Sequence, residues 1–109
     1  MFSKGVEAMY IWLDDIRVPD DKYVWTKSVN GTKQIIENAE IDGITNFVLD
    51  LDHDLGDYAY DGGDAIKLVL WLIETGRNND NYKIYLHTAN PVGRENMQSL
   101  IDRYWNKDI

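Results

Sequence analysis

Three short apolar runs constrain this chain more than any other feature. They are "MYIWLD" at 9–14, "ITNFVLDLD" at 44–52 and "YKIYLHTA" at 82–89, each of strand length and each rich in aliphatic and aromatic residues. A fourth segment, "KYVWTKS" at 22–28, has β-branched and aromatic residues at strand density. The segments between them read as helices. In "NGTKQIIENAE", 30–40, Ile35, Ile36 and Ala39 share one face. The stretch 61–76, "DGGDAIKLVLWLIETG", is strongly helical; Asp61 or Asp64 can cap it and Gly76 can end it. The segment 91–107, "PVGRENMQSLIDRYWNK", opens on a proline suited to a first turn, and Met97, Leu100, Ile101, Tyr104 and Trp105 form one stripe. Trp12, Trp25, Trp71 and Trp105 read as core or half-core residues. Continuous apolar strands alternating with helices predict an α/β fold around a buried parallel sheet. With no repeat or linker in 109 residues, the chain reads as a single domain, 1–109.

In open sheets of this kind, ligands bind beyond the carboxyl ends of the strands. All three apolar runs end there in reactive residues: Asp14 and Asp15, then Asp52, His53 and Asp54, then His87 and Thr88. Alternation puts Asp50, Asp52 and Asp54 on one side of an extended strand. Any one of these acids reads as a solvated loop tip. A converging set repels itself and resists desolvation, and a divalent cation relieves both costs. Oxygen-only ligands suit a hard ion such as magnesium, manganese or calcium. Asp50, two positions deeper, is costly unless paired.

The chain has two histidines, His53 and His87, and both fall on the same predicted edge. Histidine is the natural acid or base near neutral pH, so the pair can divide those roles, or they can ligate a transition metal such as manganese. "NPVGREN", 90–96, starts a helix directly after the His87 strand, and free amides there suit an anion. Arg94 can add a fork to a phosphate. Arg17 can reach the same place or pair with a nearby Asp.

The net charge of −8 excludes non-specific binding to duplex nucleic acid, which depends on neutralising phosphates. No apolar run approaches the roughly 18 residues of a membrane helix. "MFSKGVEAMY" lacks the features of a secretory signal. The absence of cysteine removes disulfides, zinc-thiolate sites and thiol nucleophiles, and fits a cytoplasmic location.

The segments "WLDDIRVP", "LDLDHDLG" and "LHTANPVGREN" together resemble the three motifs of the cyclic-phosphate processing receiver domain family, a variant of the response-regulator receiver fold. The resemblance runs from about Tyr10 to the last helix. It implies a doubly wound, flavodoxin-like sheet of about four mainly parallel strands in the order 2-1-3-4, with three helices. In ordinary receivers an acid pair after the first strand and an aspartate after the third bind magnesium, and the latter accepts a phosphoryl group. By position, Asp14 and Asp15 match the pair, Asp52 the acceptor, and Thr88 the hydroxyl residue after the fourth strand. The departures are the missing first helix, since residues 15–23 leave no room for one, and the missing fifth strand with its lysine. His53, Asp54 and His87 are not usual receiver residues.

The expectation is a metal-assisted phosphoesterase-like domain that opens a cyclic phosphate on a nucleotide or RNA end. Asp14, Asp15 and Asp52 are the expected ligands for magnesium or manganese, and His53, His87 and Asp54 the catalytic candidates. Arg17, Thr88, Asn90 and Arg94 are the candidates for holding a small phosphorylated ligand. The alternatives are a non-catalytic module that binds a nucleotide or protein partner, and an aspartyl phosphoacceptor at Asp52 in signalling.

Overall fold

A computed structural model describes residues 8–105. Four strands, β1 (Ala8–Leu13), β2 (Tyr23–Thr26), β3 (Asn46–Leu51) and β4 (Tyr82–Leu86), form one sheet in the order β2-β1-β3-β4. Every neighbouring pair is parallel. Three helices follow the expected pattern: α1 (Val29–Ile41), α2 (Ile66–Glu74) and α3 (Pro91–Tyr104). Residues 106 and 107, which the sequence adds to the last helix, lie outside the described residues. No helix among those described is long and apolar enough to cross a membrane.

The link from β1 to β2 joins parallel strands without a helix, over residues 14–22. A dozen or more residues is the usual minimum for such a return. The return is short here because β2 has only four residues, so the chain travels back about 13 Å at the rise of a strand. The link is pinned locally. Asp14 Oδ1 accepts the amides of Ile16 and Arg17 at 2.8 and 2.9 Å, and Trp12 Nε1 donates to the Arg17 carbonyl at 2.9 Å.

One expectation is corrected. The sheet is not doubly wound among the described residues. The crossovers β2→α1→β3 and β3→α2→β4 move the same way across the sheet, so right-handedness sends both helices to one face. The core shows which face it is. Ile11 and Leu13 of β1 and Phe47, Leu49 and Leu51 of β3 are buried with Ile36, Leu68, Leu72 and Met97 from the three helices. Burying a side chain of this size stabilises by about 1.5–3 kcal/mol. Only the β1–β2 connection runs the other way, and it has no helix. The opposite face, carrying Tyr10, Trp12, Val48 and Asp50, has no described helix over it.

Local signals explain the helix ends. Ser28 caps α1, its Oγ accepting from Gly31 N at 3.0 Å. Gly76 closes α2 at φ +75°, with the Arg77 amide bonded back to Leu72 O. The start of α2 differs from expectation. A 3-10 turn, Gly56–Tyr60, precedes it, and neither Asp61 nor Asp64 caps it. Asp61 instead accepts from Ser28 and Asn30, and Asp64 from the Leu55 amide. In α3, Met97 is buried and Leu100, Ile101 and Trp105 pack on the core, but Tyr104 is exposed and falls off the stripe. Of the tryptophans, Trp71 and Trp105 border the core, whereas Trp25 is exposed.

Candidate functional site

The sheet sets the site in register. One ladder bond extends past the end of each strand: Asp14 N to Thr26 O, Asp52 N to Leu13 O, and His87 N to Leu51 O. Asp14, Asp52 and His87 therefore form the next row across the carboxyl edge. Carboxylate oxygens of Asp14, Asp15 and Asp52 all lie within 4.8 Å of one another. Gly56 permits this crowding. It sits at φ +55°, and a Cβ there would stand 2.5 Å from Asp15 Oδ2.

The three alternating aspartates do not share a place. β3 ends at Leu51, so the two-residue period stops before Asp54. Asp52 joins Asp14 and Asp15. Asp54 turns to His53, and Asp50 lies on the sheet face that no described helix covers. There it accepts from His87 Nδ1 at 2.6 Å and from the Tyr23 hydroxyl at 3.4 Å. This is the partner that a carboxylate so deep in a strand requires.

His87 is held on three sides. Nδ1 meets Asp50, Nε2 meets Asp14 Oδ2 at 2.8 Å, and the ring stacks on Trp12 with centroids 3.9 Å apart. Burial opposes a charged ring, but the hydrogen bonds that Asp50 and Asp14 accept from it prevail and raise its pKa above the usual value. Burial likewise pushes Asp14 up, yet the amides of Ile16 and Arg17 and the His87 ring more than offset it and hold the carboxyl below its usual range.

His53 is arranged differently. Its backbone amide donates to Asp52 Oδ1 at 2.8 Å, which ties the His53 backbone to the acid cluster. Nδ1 lies 2.8 Å from Asp54 Oδ1. Nε2 has no protein partner among the described residues, and no buried side-chain nitrogen or oxygen there is left unbonded, so Nε2 reaches solvent. Asp54 is held below its usual pKa, chiefly by the His53 hydrogen bond, against burial and with help from Asn90. Ring atoms of His53 lie against Gly93 of α3, where a Cβ would fall 2.5 Å from His53 Cγ.

The expected anion-binding residues are largely engaged with the protein itself. Asn90 caps α3 through Gly93 N, and its Nδ2 donates to both Asp54 oxygens at 3.2 Å. Thr88 Oγ1 accepts the Asn90 amide. The Arg94 amide returns to Asn90 O, and its guanidinium donates to Leu86 O. Among the described residues Arg17 pairs with no aspartate; its Nη1 donates to His87 O at 3.2 Å.

The donor set fits a hard divalent ion. Among the described residues, Asp15 has no protein partner on its carboxylate and Asp52 has one oxygen without one, while Asp14 shares Oδ2 with His87. A second set, His53, Asp54 and Asp64, also brings one ligand atom each within 4.8 Å, with mixed nitrogen and oxygen donors. Asp64, which the sequence suggested only as a helix cap, and Gly93 were not among the expected site residues. The short spacing from His53 to Asp64 across "DLGDYAYDGG" was a signal available for the first. Nothing in the sequence marked Gly93.

The model of the cyclic-phosphate processing receiver domain matches residues 9–103. The chain belongs to this family. The match spans the four strands but for Ala8 and nearly all of α3, so it takes in each residue of the edge described above. No curated protein and no solved structure matches the chain. It is a receiver-type domain of a family associated with cyclic-phosphate processing.

Proposed function

We propose that this domain is a metal-assisted phosphoesterase that opens a cyclic phosphodiester on a nucleotide or RNA end. The observation that carries this reading is the junction of two units at one edge. A three-carboxylate cluster, Asp14, Asp15 and Asp52, is tied through Asp52 Oδ1 to the backbone of His53, whose Nε2 faces solvent. The family to which the chain belongs supports the substrate class.

Asp14, Asp15 and Asp52 would hold magnesium or manganese, which supplies positive charge against the phosphoryl oxygens. His53 carries the proton work. Asp54 and Asn90 orient its ring, so Nε2 takes a proton from the attacking water and returns it to the leaving sugar oxygen as the phosphorus–oxygen bond breaks. The product is a phosphomonoester. His87, with both nitrogens on carboxylates, is the counter-charge that lets Asp14 and Asp50 lie close together.

The test is incubation with 2′,3′-cyclic nucleotides and manganese. Turnover that is abolished by chelation and by His53→Ala supports the reading. Tight binding without turnover assigns the domain to ligand binding, and labelling of Asp52 by acetyl phosphate assigns it to signalling.

A further inference from the structure

We propose that the sheet face which no described helix covers is a binding surface for single-stranded RNA, whose bases stack there while its end lies at the acidic edge. The choice of RNA rests on the phosphoesterase reading; the surface itself rests on separate observations.

The first is composition by face. The helix-covered side of the sheet is mainly aliphatic, Ile11, Leu13, Leu49 and Leu51 among it. The register puts Tyr10, Tyr23, Val48 and Lys83 in one row of the other side, and Trp12, Trp25, Asp50 and Tyr85 in the next. A side meant to be covered by a helix is expected to be aliphatic too. Rings with polar edges instead suit a wet surface that takes planar partners. Tyr85 is 57% exposed, so its ring is available.

The second is shape and charge. Tyr10, Tyr23, Val48 and Tyr85 bound a hollow of about 570 Å³, with Lys22 and Lys83 among its walls. That volume is in the range of small-molecule sites. Lys22 Nζ stands 5.2 Å from the Tyr10 ring centre and 5.4 Å from that of Tyr23. Lys83 also lines the hollow, its Nζ donating to the Asp80 carbonyl at 3.3 Å. One ammonium group beside two aromatic rings and a second on the wall, in a chain of net charge −8, give a local match to a phosphodiester chain with unpaired bases. A duplex keeps its bases stacked on one another and offers these rings little.

The third is continuity. Asp50 lines the same hollow and accepts from His87, which in turn meets Asp14. From the level of Tyr10 to that of Asp14 is about 13 Å along the strand, a distance a short single strand spans.

The experiment uses fluorescein-labelled decauridylate and decaadenylate, with a hairpin duplex of similar length as control, titrated with the full chain in magnesium and followed by anisotropy. Both single strands are expected to bind and the hairpin to bind far more weakly. Tyr85→Ala should weaken binding about tenfold while Tyr85→Trp retains it. Lys22→Ala and Lys83→Ala should each lower the salt slope by about 0.7. Circular dichroism checks that each variant is folded. No binding of the single strands at about 1 mM protein, equal binding of the hairpin, or indifference to Tyr85→Ala and Lys83→Ala would overturn the proposal. So would sedimentation showing self-association that Tyr85→Ala abolishes. Turnover of a cyclic mononucleotide by the unaltered protein, measured alongside, reports on the phosphoesterase reading alone. Turnover without oligonucleotide binding sinks this inference only, and binding without turnover leaves it standing.

Discussion

His87 Nδ1 lies 2.6 Å from Asp50 Oδ1, across the boundary between β4 and β3. A charged ring and a charged acid on one sheet face are stable only as a pair, and Asp14 extends that pair to a third member. The ring's pKa is raised, with the acids overcoming burial. A group whose folded pKa is raised contributes stability below its unfolded value, about 6.5, and loses it as pH rises through the folded value. In chelator, the histidine titration followed by NMR should place His87 above 6.5, and the urea midpoint should fall as pH rises through that value. Asp50→Asn should lower the His87 pKa and flatten this part of the curve. Titration of His87 at or below its ordinary value would sink the account.

Asp14 and Asp15 are neighbours with different duties. Asp14 is almost fully buried and accepts two backbone amides and His87. Its replacement by Ala strands those donors, so a loss of about 2–4 kcal/mol is expected in urea unfolding. Asp15→Ala breaks no hydrogen bond among the described residues, and its effect on stability should stay within about 0.5 kcal/mol. Its expected effect is on manganese, with affinity by calorimetry falling at least tenfold. Equal stability losses in the two variants would contradict this division.

Much of this was legible in the sequence because it is periodic. The strands, their polar ends and the three helices follow from apolar spacing, and the strand order came with the three motifs. Side-chain pairing was not legible, since it depends on register between segments distant in sequence. Asp50 looked unexplained because its partner, His87, is 37 residues away and meets it only once β3 and β4 are aligned. The single-sided sheet was missed for a related reason. Its cause is the direction of each crossover, which pattern within one segment does not encode. The α2 caps failed because Asp61 and Asp64 found partners in other segments, Ser28 and Leu55.

A second network is purely structural. Glu40 of α1 accepts a bidentate pair from Arg77 at 2.8 Å and the Tyr82 hydroxyl at 2.5 Å, joining α1 to the end of α2 and to β4. Glu40→Ala should cost about 2–3 kcal/mol by leaving both donors unpaired, and leave turnover of a cyclic nucleotide unchanged. Burial, then Glu40, pushes Tyr82 up to about 12. Stability from this group is therefore present below pH 10 and lost between about 10 and 12. Tyr82→Phe should flatten the urea midpoint over that window.

Gly93 offers the most direct test of His53. It is buried in the first turn of α3, and the His53 ring lies where its side chain would be. A methyl group there would come within 2.8 Å of three ring atoms, Cγ, Nδ1 and Cδ2, closer than real contacts allow. The backbone of α3 is fixed by the Asn90 cap, so the ring is the part that moves. Moving it breaks the 2.8 Å contact between Nδ1 and Asp54 and turns Nε2 away from its present direction. Gly93→Ala should therefore cost about 1–3 kcal/mol of stability, as overpacking does, and cut cyclic-nucleotide turnover as deeply as His53→Ala. The carboxylate cluster is untouched by the change, so manganese affinity should stay within about twofold, a shift of roughly 0.4 kcal/mol. Full turnover in a folded Gly93→Ala variant would mean that the orientation of His53 does not matter, and the assignment of proton transfer to this ring would have to be given up.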